Sequence, residues 1–132
     1  MKYLPLVLLL TSLPGFSQDS PQYTACNKKA KIQLEFNACA NEEATRVDAE
    51  LNDVYRQLLS KAASDPEAVG KIKAAERAWM TYRDAYMEAM YPAKDKQVEY
   101  GSMYPMESAL LRAKLTKQQV AALKDLLHQY SE

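Results

Sequence analysis

The sequence offers few side chains that could perform acid–base, nucleophilic or metal chemistry. Its single histidine, His128, lies near the end of the chain without a nucleophile motif or a second metal ligand at a suitable spacing. Acids on charged helix faces are usually solvated, and no apolar setting marks two of them as a catalytic pair. The acids considered are Asp48, Glu50, Glu76, Asp84 and Glu88. We therefore predict no catalytic residue, no metal site and no cofactor.

The densest group of aromatic and charged residues is AERAWMTYRD, residues 75–84. Helical spacing places Trp79 and Tyr82 on the apolar face, with Arg83 one turn from Trp79. We favour a structural interpretation over a ligand pocket: Trp79 fills the centre of the core, and Arg83 pairs at its edge with a carboxylate such as Asp48. Truncation of a tryptophan buried in this way would cost roughly 3–5 kcal/mol. The predicted structural signature is Asp48, Asn52, Tyr55, Trp79, Tyr82, Arg83 and Asp84.

A second group of tyrosines flanks a long irregular stretch, residues 92–104. Tyrosine is common at protein interfaces, because it provides a large contact area at low entropic cost. A tyrosine-rich loop can equally fold down over the helices, and the sequence leaves both interpretations open. The candidate partner-binding residues are Tyr91, Tyr100, Gly101, Ser102 and Tyr104.

The first seventeen residues are typical of a secretory signal. Lys2 precedes an apolar run, residues 3–13, that is too short to span a bilayer, and Gly15-Phe16-Ser17 provides a small-x-small cleavage motif. We predict a signal peptide over residues 1–17 and a mature start at Gln18; the alternative is an uncleaved membrane anchor. The remaining chain, 18–132, suits a single domain without a membrane span.

The charge balance argues against two classes of partner. Without Lys2, the chain has 16 basic and 17 acidic residues. Binding to nucleic acid or to anionic membranes requires clustered Lys and Arg, which a nearly neutral chain does not provide. The predicted partner is therefore neither a nucleic acid nor a membrane surface.

Two cysteines, Cys26 and Cys39, lie beyond the predicted signal. In an exported chain they favour a disulfide, and the alternative is two unpaired buried thiols. On one straight helix their Cα atoms would lie about 20 Å apart, whereas a disulfide tolerates about 7 Å. If the bond forms, the chain must reverse between Asn27 and Ala38.

The apolar periodicity predicts an all-α fold. We expect a helical piece over 28–36 after a mobile polar leader at 18–24, and a helix over 38–63 whose buried face carries Ala40, Ala44, Val47, Leu51, Val54 and Leu58. Asp65-Pro66 begins the next helix, with Ala68, Ile72, Ala75, Trp79, Tyr82, Tyr86 and Met90 on its apolar face, so that the two helices form a long antiparallel hairpin. A short helix over 105–113 and a capping box at residues 116–119 lead to a final helix that ends near Tyr130. The expected fold is a small helical bundle with one N-terminal disulfide.

Two segments, CANEEATRVDAELNDVYRQLL (39–59) and AERAWMTYRDAY (75–86), resemble the lysozyme inhibitor LprI-like N-terminal domain family. The resemblance spans nearly all of the predicted mature chain and includes Cys26, Cys39, Asp48, Leu51, Asn52, Tyr55, Ala75, Arg77, Trp79, Tyr82, Arg83, Asp84, Gly101, Ser102, Leu115 and Thr116. Two further cysteines of the family pattern are replaced here by Met87 and Leu111. The resemblance thus implies that Cys26 pairs with Cys39, and that the helix with Met87 lies against the helix with Leu111.

The resemblance implies a periplasmic or secreted binding module with lysozyme-inhibitor-like activity and no catalytic function. The alternative is an envelope-associated structural or interaction protein whose partner is another envelope protein. Two surfaces are candidates for contact with a lysozyme. One is the loop 92–104; the other is an acidic helix face formed by Glu42, Glu43, Glu50 and Asp53.

Overall fold

A computed structural model describes residues 19–132, and these residues form helices without β-strands. The predicted signal peptide and the predicted mature start at Gln18 lie outside the described residues. The helices are α1 (Pro21–Lys29), α2 (Gln33–Lys61), α3 (Pro66–Met90), α4 (Lys96–Tyr100) and α5 (Tyr104–Gln129), and a 3₁₀ turn covers Gly101–Met103.

The disulfide and the chain reversal that it requires are both present. Cys26 of α1 is bonded to Cys39 of α2, with the two Cα atoms 5.7 Å apart. The chain turns at residues 30–32, between the end of α1 and the start of α2. The predicted helix over 28–36 is therefore wrong, because the reversal falls in the middle of that segment.

The start of the described chain is ordered rather than a mobile leader. The Ser20 hydroxyl accepts a hydrogen bond from the Tyr23 backbone N–H at 3.0 Å and caps α1. Tyr23 is buried in a small cluster with Cys39, Ala40 and Ala109. The buried tyrosine and the disulfide together fix α1 to α2.

Helix α2 is the central element and packs most extensively against α5. The six residues predicted for its buried face are all buried, as the prediction required: Ala40, Ala44, Val47, Leu51, Val54 and Leu58. Five of them meet Ala113, Val120 and Leu123 of α5 in the main core, whereas Ala40 belongs to the small cluster around Tyr23. One continuous apolar stripe on α2 thus organises the fold.

Helix α5 is continuous, so the predicted break between residues 113 and 116 is wrong. Thr116 is fully buried, and its hydroxyl donates to the backbone carbonyl of Arg112 at 2.8 Å, one turn earlier. Threonine makes this bond inside helices as well as capping their ends. The residue that looked like a helix start therefore sits in the helix interior.

Helix α3 contributes to the core mainly through its first half. Asp65 caps it by accepting hydrogen bonds from the backbone N–H groups of Glu67 and Ala68 at 3.1 Å. Its buried residues are Ala68, Ile72 and Glu76, and none follows. The prediction that its apolar face stays buried as far as Met90 is wrong for Ala75, which is exposed, and for the second half of the helix. Helices α3 and α5 are in contact, and the specific Met87–Leu111 contact stays a prediction.

Candidate functional site

Three of the candidate partner-binding tyrosines form one cluster at the end of α3. The Tyr91 ring meets those of Tyr100 and Tyr104 edge to face, with centroids 5.2 and 5.0 Å apart, and the other two centroids are 5.9 Å apart. Edge-to-face aromatic pairs contribute about 0.5–1.5 kcal/mol each beyond burial. All three rings are half-buried. The three tyrosines thus pack against one another and leave part of their surface exposed.

Polar contacts fix the same loop. The Lys96 ammonium donates to the backbone carbonyls of Tyr91 and Ala93 at 2.8 and 3.1 Å, and lies 3.0 Å from the Glu88 carboxylate. A cation at this position satisfies carbonyls at the C-terminal end of α3. The Tyr100 hydroxyl accepts from the Ala93 N–H at 3.1 Å. These contacts tie residues 91–93, where the loop begins, to Lys96 and Tyr100 of α4.

Burial raises the pKa of Tyr91 above its ordinary value, and the negative charge of Glu107 adds to the effect, as do Tyr104 and Tyr100. The phenol therefore stays protonated at neutral pH. A neutral phenol can remain a hydrogen-bond donor inside the cluster.

The remaining candidate residues of the loop have different roles. Gly101 has φ of +74°, a backbone conformation that side-chain-bearing residues rarely adopt, and it begins the 3₁₀ turn. Ser102 follows it and is exposed. Glycine thus shapes the turn, and serine is free to meet a partner.

Exposed apolar side chains concentrate on the second half of α3 and on this loop. Of the ten large apolar side chains exposed among residues 19–132, six lie between residues 80 and 103. Five of them form what we call the 80–103 surface: Tyr82, Tyr86, Met90, Val98 and Met103. Met80 lies on the opposite side of α3 from Tyr82 and lines a cleft between α2 and α3 that is described below. Tyrosine and methionine are enriched at protein interfaces, and clustered exposed apolar residues mark binding sites.

The sequence did not reveal this surface. Tyr82, Tyr86 and Met90 recur at helical spacing and were predicted to face the core, and Val98 and Met103 were not singled out. One usable signal was residue type. The first half of the α3 stripe carries Ala and Ile, which suit a core, whereas the second half carries Tyr and Met, which suit an interface.

A second feature is an open cleft of about 360 Å³ between α2 and α3. Apolar, amide and charged side chains line it: Asp48, Leu51, Asn52, Tyr55, Lys73, Glu76, Arg77, Trp79, Met80 and Arg83. We call this the α2–α3 cleft. Most of the predicted structural signature therefore gathers around a solvent-accessible space, with Tyr82 and Asp84 exposed outside it.

The prediction that Trp79 fills the centre of the core is wrong. Its indole is half-buried, touches the core at the core's edge and forms part of the cleft wall. The Arg83 guanidinium carbon lies over the indole, 5.2 Å from the ring centroid, at a distance typical of a cation–π contact. The core centre is occupied instead by smaller residues, among them Leu58 and Leu123.

The predicted pairing of Arg83 with Asp48 is also wrong. Arg83 pairs with its neighbour Asp84 at 2.9 Å. Asp48 faces α5, where Arg112 lies 3.9 Å away. Glu76, which is buried, accepts a hydrogen bond from the Gln119 amide of α5 at 3.0 Å. Both carboxylates of the cleft are thus engaged by donors from α5.

Replacing Trp79 by alanine is expected to lower the free energy of unfolding by only about 1–2 kcal/mol, because a half-buried side chain loses part of its contacts with the core and leaves no closed cavity. Urea melts followed by circular dichroism would measure the loss. A loss as large as that expected for a buried tryptophan would contradict its position in the cleft wall.

The structure differs most from the predicted acidic helix face at Glu43. This residue is buried, with 2% of its surface exposed. Its carboxylate pairs with Lys117 at 2.9 Å and Arg46 at 3.1 Å, and accepts a hydrogen bond from Ser20. Burial alone would raise its pKa. The hydrogen bonds from Lys117 and Ser20, together with the charges of Lys117 and Arg46, outweigh burial, and the pKa is lowered below 4.5. Glu43 is a structural anchor and is not available to a partner.

The other acids of that face are largely compensated. Glu50 pairs with Lys124 at 2.7 Å, and Asp53 meets Arg56 and Gln57 at 3.5 and 2.8 Å. Among these four acids only Glu42 makes no ion pair within residues 19–132, and its carboxylate lies 4.0 Å from Cys26 Sγ. This face therefore presents little net negative charge.

Because the folded-state pKa of Glu43 is lowered, its carboxylate stabilises the fold above the unfolded pKa near 4.5, and this contribution is lost as pH falls through the folded pKa. Glu43→Gln should therefore destabilise the protein at pH 7, and the difference from the parent should shrink below about pH 4. Urea melts at several pH values would measure it. Glu67→Gln, at an exposed ion pair with Lys71, serves as the control and should change stability by less than about 0.5 kcal/mol. A pH-independent difference would contradict the ionised buried cluster.

Residues 19–132 contain neither a metal-binding cluster nor a membrane-spanning helix. No group of three or more His, Cys, Asp or Glu residues there is arranged to hold a metal ion. No helix in the same range is long and apolar enough to cross a membrane. His128 is exposed, and its Nε2 lies 3.3 Å from the Glu132 carboxylate.

Comparison with known families decides the relationship. The family described as "Lysozyme inhibitor LprI" matches residues 26–123. The chain belongs to the LprI family. The matched range contains both cysteines, all residues of the α2–α3 cleft and the whole 80–103 surface.

A relative from Rhizobium meliloti (strain 1021) is described as an uncharacterised protein. It is 33% identical over 136 residues, which cover 94% of this chain and 91% of the relative. No solved structure matches the chain.

Proposed function

We propose that the protein is an exported, non-catalytic binding protein that inhibits a lysozyme, and that the 80–103 surface makes the contact. The family description supports inhibition of a lysozyme as the activity. The N-terminal signal pattern and the Cys26–Cys39 disulfide support export to the periplasm or the exterior, where disulfides persist. The chain beyond the signal, residues 18–132, would be the exported domain.

The observation that carries the choice of surface is the concentration of five exposed apolar side chains between residues 82 and 103. Val98 is the most exposed of them, at 81%. Leaving such residues in water is unfavourable by about 25 cal/mol per Å² of apolar area, and a partner that covers them recovers this free energy. The rigid loop behind them lowers the entropic cost of binding.

Charge does not decide between the 80–103 surface and the acidic face. The acids of that face are largely paired with basic side chains. The loop 92–104 carries two lysines, Lys94 and Lys96, and two acids, Asp95 and Glu99, so its formal charges balance. Tyr91, Tyr100 and Tyr104 would support the loop, and Ser102 would lie at the contact.

The test is a lysozyme turbidity assay with the purified protein and lysozymes of the C and G types. We expect the protein to slow lysis by at least one type. Val98→Glu should weaken inhibition by roughly tenfold or more, because it places a charge at the centre of a desolvated contact. Circular dichroism melts should be nearly unchanged, since Val98 is 81% exposed.

Leu34→Glu provides a matched control. Leu34 is 73% exposed, nearly as much as Val98, but lies at the start of α2, outside the 80–103 surface. Its replacement should leave inhibition unchanged. Failure of the parent protein to slow any lysozyme would remove the lysozyme proposal. Equal inhibition by Val98→Glu and the parent would remove the proposed surface.

A further inference from the structure

We propose that the α2–α3 cleft binds a small monocarboxylate whose body is apolar. This site is separate from the lysozyme contact, and the proposal does not rest on that function. The cleft volume, about 360 Å³, falls at the lower end of the range for small-molecule pockets and is too small to take a folded partner.

Three of the side chains that line the cleft are apolar: Leu51 is buried, Trp79 is half-buried, and Met80 is 40% exposed. An apolar body that covers these three side chains removes their remaining surface from water. Asn52 and Tyr55 add hydrogen-bonding groups from α2. The cleft thus combines apolar contact area with a few polar groups, as ligand sites generally do.

The charges of the cleft leave room for one anion. With their ion-pair partners included, Lys73, Arg77, Arg83 and Arg112 contribute four positive charges, against three negative charges on Asp48, Glu76 and Asp84. The carboxylates of Asp48 and Glu76 are already engaged by Arg112 and Gln119 on α5, as described above. Lys73 and Arg77 make no ion pair within residues 19–132. The ammonium group of Lys73 and the guanidinium group of Arg77 therefore lack a counter-charge.

Contacts with Trp79 and Asp84 fix the Arg83 side chain in a position where it can bind a carboxylate. Its guanidinium lies over the Trp79 ring, and Asp84 accepts from its Nε and lies 2.9 Å from its Nη2. The side chain is only 22% exposed. A fixed guanidinium loses little entropy when it binds a planar carboxylate. The N–H groups of Arg83 that do not contact Asp84 remain available to the ligand.

The net charge of the cleft selects a monoanion over a phosphate. One carboxylate would neutralise the single excess positive charge, whereas a phosphate dianion would bring a second negative charge near Asp48 and Glu76. The planar carboxylate also matches the guanidinium geometry. We therefore assign the site to a carboxylate attached to an apolar ring or chain.

Trp79 provides the readout, because it is the one tryptophan of the chain and lies in the cleft wall. Its emission can be excited at wavelengths where tyrosine does not absorb. The full protein would be titrated with cyclohexanecarboxylate, with cyclohexanecarboxamide as a neutral probe of the same shape, and with inorganic phosphate. We expect a saturable change with the carboxylate, at lower concentrations than with either of the other probes.

Arg77→Gln should raise the Kd for cyclohexanecarboxylate by roughly threefold to tenfold, the effect of removing one partly screened charge from the site. Lys73→Gln should act in the same direction. Lys71→Gln is the matched control, because Lys71 lies on the same helix, pairs with Glu67 and does not line the cleft.

Several outcomes would overturn the assignment. The emission of Trp79 could show no saturable change with the carboxylate, or the neutral amide could bind as well as the carboxylate. Stronger binding of phosphate would contradict the choice of a monoanion. An equal loss of affinity in Lys71→Gln and Arg77→Gln would show a general charge effect without a site. None of these results bears on inhibition of a lysozyme.

Discussion

Replacing Leu58 by alanine is expected to lower the free energy of unfolding by about 3–4 kcal/mol, because Leu58 is a fully buried side chain of the main core and its truncation leaves a cavity. It lies near the end of α2. The same cluster contains Ala62, which follows α2, and Ala68 and Ile72 of α3. The loss should therefore affect the junction of the three long helices. Urea melts followed by circular dichroism would measure it.

Leu126→Ala is the control for this prediction. Leu126 lies on α5 and is 38% exposed, so its truncation removes less buried area and should cost about 1 kcal/mol or less. Similar losses for the two variants would contradict the described core. A loss below 1 kcal/mol for Leu58→Ala would place that residue outside it.

Removing the disulfide by the double substitution Cys26→Ser and Cys39→Ser should cost about 3 kcal/mol. The bond closes a loop with a sequence separation of 13, and the entropy that this constraint removes from the unfolded chain gives a stabilisation of that size. Cys39 is also 2% exposed, so a serine hydroxyl there would be buried among apolar neighbours. Urea melts would compare the parent with the variant.

A reductant separates the effect of the bond from that of the substitutions. The parent protein should lose most of the same free energy when it is melted in reductant, whereas the double variant should not respond to it. A parent protein whose stability is the same with and without reductant would show that the bond does not contribute.

The sequence predicted α2 and the disulfide reversal well, and the reason is physical in each case. Residues 40–58 of α2 carry one narrow apolar stripe with polar residues beside it, and only one face of such a helix can be buried. The reversal followed from the reach of a disulfide, which no straight helix can satisfy. Both conclusions depend on local geometry alone.

The wrong predictions concern residues whose burial depends on contacts with segments that are distant in the sequence. The stripe of α3 continues to Met90 in sequence, but α5 covers most of the apolar face of α2, so the second half of α3 has little left to pack against. Glu43 lies next to exposed positions in the helical pattern, yet Ser20 and Lys117 reach it from α1's cap and from α5. Periodicity shows which side of a helix is apolar and cannot show what covers it.

The candidate site was predicted in part. The tyrosines around the loop were singled out from the sequence, and three of them do converge. Their half-buried cluster, with Lys96 beneath it, was not predictable, because it depends on the path of α4 and the 3₁₀ turn. Val98 and Met103, which the structure exposes beside the cluster, carried no special signal in the sequence.

The central claim is that residues 80–103 form the lysozyme-binding surface, and amide hydrogen exchange with and without a bound lysozyme tests it most directly. Binding should slow exchange in the second half of α3 and in the loop up to Met103, and should leave the outer face of α2 unchanged. Slowed exchange around Glu42, Glu50 and Asp53, without a change between residues 80 and 103, would contradict the account.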